Sequence, residues 1–343
     1  MQLSTTLQYA RDPREAAAEA VAMEQAGLDA AWVAEAYGFD APTLMGYLAA
    51  RTERLLIGSG IVNVYSRTPA LLAQTAGGLD ALSDGRALLG LGASGPQVVE
   101  GWHGLPYEKP LARTRETVEV VRAALRRETV VHDGRTVTIP LPAERGTGLG
   151  KPLKMITRPV RPAVPVFLAA LGDRNVRLTA EIADGWLSLF YLPERAAEVW
   201  GPSLAAGRAE RSPDLGELRV VAGGILAIGE DRAALRDLAR PQLALYIGGM
   251  GARGKNFYNE LVCRYGYEKE AEVIQDLYLA GRKREAEAAV PDDLIDRTNL
   301  LGPEGFVRER IAAYRESGVT MLNVEPGAGT DPVALVEKVK GWL

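Results

Sequence analysis

Short apolar runs recur along the chain, separated by longer stretches in which polar and apolar residues mix. In order they cover residues 3–7, 30–34, 55–61, 87–91, 164–169, 186–189, 218–228 and 321–324. Apolar runs without regular polar alternation fit strands buried on both faces. The stretches between them carry helix signals. Asp12-Pro-Arg-Glu15 joins a capping aspartate to a proline in the first turn, Asp40 precedes residues 41–50, and Thr68-Pro69 repeats the pattern. Gly27, Gly85, Gly185 and Gly318 each read as the close of a helix that feeds the next strand. Eight strands alternating with helices predict an α/β fold, a (β/α)8 TIM barrel, read as a single domain over residues 1–343.

Two segments break the repeat. Residues 128–163 contain an alternating stretch around Asp133-Gly134, a hairpin signal, which predicts a hairpin-containing loop between strands 4 and 5. Residues 241–297 form a charged, helix-rich insertion after strand 7. Loops beyond barrel strands are where lids and substrate contacts lie. Gly223-Gly224 predicts an irregular seventh strand.

The third strand is the most informative. Gly58 and Gly60 interrupt the run where a packed strand would prefer side chains, which marks a bulge or a close approach to the backbone. Asn63, Tyr65, Ser66 and Arg67 follow as polar groups before the next helix.

Composition narrows the function. Of 343 residues, 47% are hydrophobic and 24% charged, as in a globular protein with a large core. A net charge of −4 gives no basic field, so nucleic acid is not an expected partner. The single cysteine, Cys263, allows no internal disulfide, and with only His103 and His132 beside it no zinc-type metal site is expected. No apolar run approaches the roughly 20 residues that span a bilayer, and no signal peptide is apparent, so the expectation is a cytoplasmic protein without membrane contact.

Three motif matches point the wrong way. Gly90-Leu-Gly92-Ala-Ser-Gly95 fits G-x-G-x-x-G, but it follows the fourth strand and no acidic strand end stands about 20 residues on. The 249–255 segment has phosphate-loop spacing, yet Asn256 replaces the hydroxyl residue that would hold magnesium. Around Ser94 the hydrolase elbow G-x-S-x-G fails by one glycine, because Pro96 stands in the last position.

Gly60-Ile-Val-Asn-Val-Tyr-Ser-Arg-Thr-Pro69 after such a strand resembles the luciferase-like monooxygenase superfamily. More closely it resembles the branch of coenzyme F420-dependent oxidoreductases of the methylenetetrahydromethanopterin reductase type. Residues 32–35, 90–97, 169–172, 183–186 and 245–259 carry the same resemblance in order along the chain. It implies a non-prolyl cis peptide at Gly60-Ile61 that backs one face of a deazaflavin ring. Glu35 and Asn63 would then line the ring, and Ala93 and Ser94 would flank the ring and its side chain. Ala170, Leu171 and Gly172 would offer backbone N–H groups to the cofactor phosphate where a helix begins. Gly185 and Trp186 would enclose the same side chain. Two departures stand out: Ala36 follows Glu35 where several dehydrogenases of the branch carry histidine, and Gly95 stands where its sugar-phosphate dehydrogenases place a glutamate.

The candidate catalytic residues are therefore Glu35 and His103, the latter on the loop after the fourth strand. The expected activity is hydride transfer between F420 and a small organic substrate, in a homodimer as is usual for the family. An FMN-dependent monooxygenase and a non-catalytic cofactor-binding protein remain the alternatives. Tyr246, Arg253, Lys255 and Tyr258 in the insertion are candidates for contact with substrate or with the cofactor's acidic tail, and Cys263 reads as a small apolar filler.

Overall fold

Each apolar run becomes a strand in the computed structural model, which describes residues 1–8 and 11–343. The strands are β1 Gln2–Leu7, β2 Ala30–Val33, β3 Leu56–Ser59, β4 Ala87–Gly92, β5 Val166–Ala169, β6 Gly185–Leu187, β7 Arg219–Ile228 and β8 Met321–Pro326. Every neighbouring pair is parallel, and β8 closes on β1 from Gln2↔Met321 to Ser4↔Asn323, making the eight-stranded barrel. Two short pieces extend the sheet. Val62–Asn63 resumes beside β4 after β3 is interrupted, and Leu300–Gly302 pairs with the far end of β7.

The surrounding helices are α1 Pro13–Gln25, α2 Ala41–Arg51, α3 Pro69–Leu82, α4 Pro110–Leu125, α5 Asp173–Ile182, α6 Pro193–Ala209, α7 Glu304–Glu316 and α8 Pro332–Lys340. Their starts follow from the caps. The Asp12 carboxylate accepts from the Arg14 and Glu15 backbone N–H groups, Asp40 from Thr43, and Thr68 from Leu71, which satisfies donors that a helix start otherwise leaves open. Gly27, Gly85 and Gly318 take left-handed φ values of 104°, 81° and 94° after α1, α3 and α7. Gly185 departs from its expected role. It is the first residue of β6, and a Cβ there would lie 2.1 Å from the Phe167 ring, so it is small because an aromatic neighbour needs the space.

Apolar side chains pack in two layers. A large shell joins the outer strand faces to the helices. A smaller cluster of Ala30, Trp32, Leu88, Phe167, Val221 and Met321 fills the barrel's interior, with Trp32 meeting Phe167 edge-on at 5.0 Å between centroids. The barrel is thus plugged, and what it holds must sit above the plug.

The loop after α4 contains the expected hairpin, His132–Asp133 paired antiparallel with Thr138–Ile139. Glu116 of α4 fastens it by accepting from the backbone N–H groups of Arg135, Thr136 and Val137, each at 2.8 Å. The segment after β7 folds as short helices, Arg240–Ala244, Phe257–Arg264, Glu268–Leu279, Lys283–Ala288 and Asp292–Thr298, with a π-helical turn at Leu245–Gly249. Asn256 ties that turn down. Its Nδ2 donates to the Tyr246 and Ile247 carbonyls while its Oδ1 caps the helix at Phe257–Arg264, which explains an amide where a phosphate loop would carry a hydroxyl. Among the described residues no helix is long and apolar enough to cross a membrane.

Candidate functional site

At the C-terminal ends of the strands a cavity of about 410 Å³ opens above the plug. One wall comes from the break in β3. Gly60 donates its N–H to Val33 O at 2.8 Å, the Gly60–Ile61 peptide bond is cis, and both residues face the cavity. The turn pushes the Ser59 carbonyl towards β4. A Cβ built on Gly90 would stand 1.8 Å from that oxygen, and one on Gly92 3.0 Å from Ile61 Cδ1. Ser59 Oγ closes the contact by donating to Gly90 O at 2.7 Å and accepting from Gly90 N at 3.0 Å. The first two glycines of the G-x-G-x-x-G match, Gly90 and Gly92, thus make room for the neighbouring β3 segment.

Glu35 lies on the rim after β2. Arg67 meets it with two parallel hydrogen bonds of 2.7 and 2.9 Å, and the Ala41 N–H at the start of α2 adds a third at 2.7 Å. The side chains are 9% and 15% exposed, so this is a nearly buried, fully compensated charge pair.

Beyond β5 the cavity is lined by Ala169, Ala170, Leu171 and Gly172, and then by Asn175 of α5. Gly172 is the N-cap of α5, and no side chain caps its first N–H groups, so an anion-favouring helix start faces the opening. Two tryptophans hold this backbone from behind: Trp186 Nε1 donates to Ala170 O at 2.9 Å and Trp200 Nε1 to Leu171 O at 3.3 Å. Beside it an open groove of about 760 Å³ shares Tyr107, Gly172, Asn175 and Phe257 with the main cavity and carries Lys109, Arg135 and Arg174. All three cations are exposed, and among the described residues none is in an ion pair.

The remaining walls are mixed. Ser94 takes a left-handed φ of 57°, and its carbonyl accepts from the Tyr107 hydroxyl at 3.3 Å. Burial pushes Tyr107 up to about 12. Gly223 and Gly224 of β7 also line the cavity. A Cβ on Gly223 would lie 1.9 Å from Asn323 O and one on Gly224 2.4 Å from Thr298 O, so β7 stays regular while its glycines let β8 and the Thr298 segment approach. Asn323 joins Ser4 and Thr6 in a polar seam, accepting from Ser4 Oγ at 3.0 Å and donating to Thr6 Oγ1 at 3.1 Å. Glu325, two residues on, points the same way into the cavity beside Gln8 and Gln242. The insertion supplies Tyr246, Met250, Phe257 and Tyr258, with Tyr246 and Tyr258 edge-on to each other at 4.7 Å.

Of the residues singled out in the sequence, Glu35, Gly60, Ile61, Ala93, Ser94, Ala170, Leu171, Gly172, Tyr246 and Tyr258 line this cavity. Asn63, His103, Gly185 and Trp186 do not. Asn63 is buried behind the wall, accepting from Tyr65 N at 2.7 Å, and His103 is half-buried on the loop after the Pro96–Gly101 helix. Trp186 serves the cavity from the outer core, and Gly185 faces the Phe167 ring of the inner plug. Arg253 is paired with Asp276 and lies outside the cavity. Gln8, Tyr107, Gln242 and Glu325 line it without having been expected.

A plugged parallel barrel with its opening over the strand ends, one wall of bare backbone and an uncapped helix start beside it define a (β/α)8 protein with its candidate site at the C-terminal face of the barrel. The family described as luciferase-like monooxygenase matches residues 1–321, and the chain belongs to it. Among similar proteins, a provisionally named coenzyme F420-dependent oxidoreductase of Mycobacterium tuberculosis is 42% identical over 96% of both chains. A 5,10-methylenetetrahydromethanopterin reductase of Archaeoglobus fulgidus is 28% identical, over 90% of this chain and 88% of its own. The solved coenzyme F420-dependent tetrahydromethanopterin reductase of Methanopyrus kandleri shares the fold with a TM-score of 0.83 at 22% identity, over 100% of this chain and 99% of that one.

Proposed function

We propose that the protein is an oxidoreductase that uses coenzyme F420, passing a hydride between the deazaflavin and a small organic substrate. The observation that carries this is the cavity's layout: a backbone wall at Gly60–Ile61 suited to a flat ring, continuous with an uncapped helix start at Gly172–Asn175 suited to a phosphate. Similarity to the M. tuberculosis protein over nearly the whole chain agrees with it. Small residues fit the same group. Ala93, Ala169 and Ala170 leave room for a tricyclic ring, and a Cβ at Gly172 would meet nothing within 4 Å.

Gly60 and Ile61 would back the ring, Ala93 and Ser94 flank it, and the N–H groups after Leu171 hold the phosphate. The acidic tail of F420 would run along Lys109, Arg135 and Arg174. FMN has no such tail, so these three cations, set against Asp173 and Glu260 in the same groove, favour F420. When bound, the deazaflavin supplies two-electron hydride chemistry at C5. Glu35 stands on the rim with its orientation set by Arg67, and the aromatic insertion wall excludes water from the substrate.

Titration with F420 and with FMN, followed by cofactor fluorescence, tests the reading. Saturable F420 binding with no comparable FMN binding is expected. Tight FMN binding with oxygen consumption would establish the monooxygenase instead, and F420 binding without turnover of any hydride acceptor would leave a non-catalytic binding protein.

A further inference from the structure

Two carboxylates line the cavity, and they are held differently. Glu35 is clamped by Arg67 and by the start of α2. Glu325 is half-buried at the end of β8 and takes only long contacts from neutral amides, Gln8 Nε2 at 3.4 Å and Gln242 Nε2 at 3.5 Å. Among the described residues it belongs to no ion pair. Among the described residues the other ionisable side chains that line the cavity are Glu35 and three tyrosines, Tyr107, Tyr246 and Tyr258, so no cation of that lining faces it.

We propose that Glu325 delivers to the substrate, and recovers from it, the proton that accompanies the hydride. The inference rests on the oxidoreductase reading above. In the reducing direction the carbon of a substrate C=O or C=N bond gains the hydride from reduced deazaflavin. The π pair moves onto the heteroatom, which takes the proton from the Glu325 carboxyl, and the carboxylate left behind is reprotonated by solvent. In the oxidising direction the Glu325 carboxylate removes the O–H or N–H proton as the hydride leaves carbon. The substrate class is accordingly a carbonyl or imine, or the matching alcohol or amine.

The surroundings suit that work. Burial pushes Glu325 above the ordinary carboxylate range, and the Gln242 and Gln8 amides pull it only partly back. A carboxyl poised nearer neutrality exchanges protons more effectively than one at its usual value. Tyr107, pushed up to about 12, keeps its proton, and His103 lies outside the cavity.

Infrared difference spectra across a pH titration of the full chain detect protonated carboxyls without substrate or cofactor. The native chain should show a carboxyl band with a midpoint above the ordinary glutamate value of about 4.3. That band should vanish in Glu325→Gln and persist in Glu35→Gln. A raised band that survives in Glu325→Gln, or a Glu325 band at the ordinary midpoint, overturns the proposal. In the second arm, the chain loaded with reduced F420 is mixed with whichever of a panel of small ketones and cyclic imines the native chain reduces. Glu325→Gln should slow the single turnover by about 10²–10⁴-fold with F420 affinity unchanged, and Glu325→Asp should recover part of it. Equal rates in native and Glu325→Gln chains also overturn it. Failure of the native chain to bind F420 counts against the oxidoreductase reading, and the infrared midpoint then decides Glu325 alone.

Discussion

Glu35 and Glu325 share a cavity and differ in what faces them, and stability reports the difference. Replacing Arg67 by methionine removes the cation from a pair whose side chains are 9% and 15% exposed, leaving Glu35 with one backbone donor. Breaking such a pair should cost about 3–5 kcal/mol in urea unfolding. Glu325 behaves oppositely. Its folded carboxyl is raised by burial, so folding favours the proton-bound form. The stability this contributes is fully present below the unfolded value and is lost as pH rises through the folded one. Glu325→Gln carries no charge to bury, so its unfolding midpoint should exceed the native one at neutral pH and the gap should close in acid. A gap that widens in acid would contradict the sign. The sequence exposed Glu35 because an acid ended an apolar run. Glu325 carries the same signal after Val324, but no resemblance drew it into the candidate site. Trp186 was ambiguous for a different reason: an aromatic at a strand end does not reveal whether its ring turns inward or into the outer core.

Between elements, the contact that shapes the site is the one joining β3 to β4. The distortion was legible, since Gly58 and Gly60 interrupt a buried run. Its partner was not, because Gly90 and Gly92 serve a neighbour 31 residues away and their spacing imitates a nucleotide motif. The two readings separate experimentally. Gly90→Ala places a methyl 1.8 Å from the Ser59 carbonyl, a backbone atom that cannot swing aside. It should destabilise by about 3 kcal/mol or prevent folding. Gly95→Ala, whose Cβ would meet only the flexible Gln97 Oε1 at 3.2 Å, should unfold within about 1 kcal/mol of native. A nucleotide loop would need both glycines alike. Leu300–Gly302 and Val62–Asn63 escaped the sequence reading because pieces of three and two residues are too short to show any period.

For the whole molecule, closure of the barrel was the most legible feature, since all eight apolar runs became neighbours in sequence order and the last pairs with the first. The way the insertion folds back over the opening was not, because charged helices reveal their period but not their docking. Electrostatics at this scale gives a further test. The groove cations Lys109 and Arg174 lie where a polyanionic tail would run, so Lys109→Glu with Arg174→Glu should weaken F420 bearing several glutamates by about tenfold. A tail-less form should be affected less, and added salt should erase the difference. Equal weakening of both forms would show that the groove carries no tail.

The mouth of the barrel divides into masonry and furniture. Gly58, Gly90 and Gly223 face atoms that leave no space for even a methyl, so drift on that side is punished at once. Tyr246, Met250 and Phe257 stand on an excursion that can be rebuilt without moving a strand. Duplicated copies of this gene would therefore keep one redox currency while diverging in diet, and their sequences should scatter in the excursion long before they scatter at the glycines.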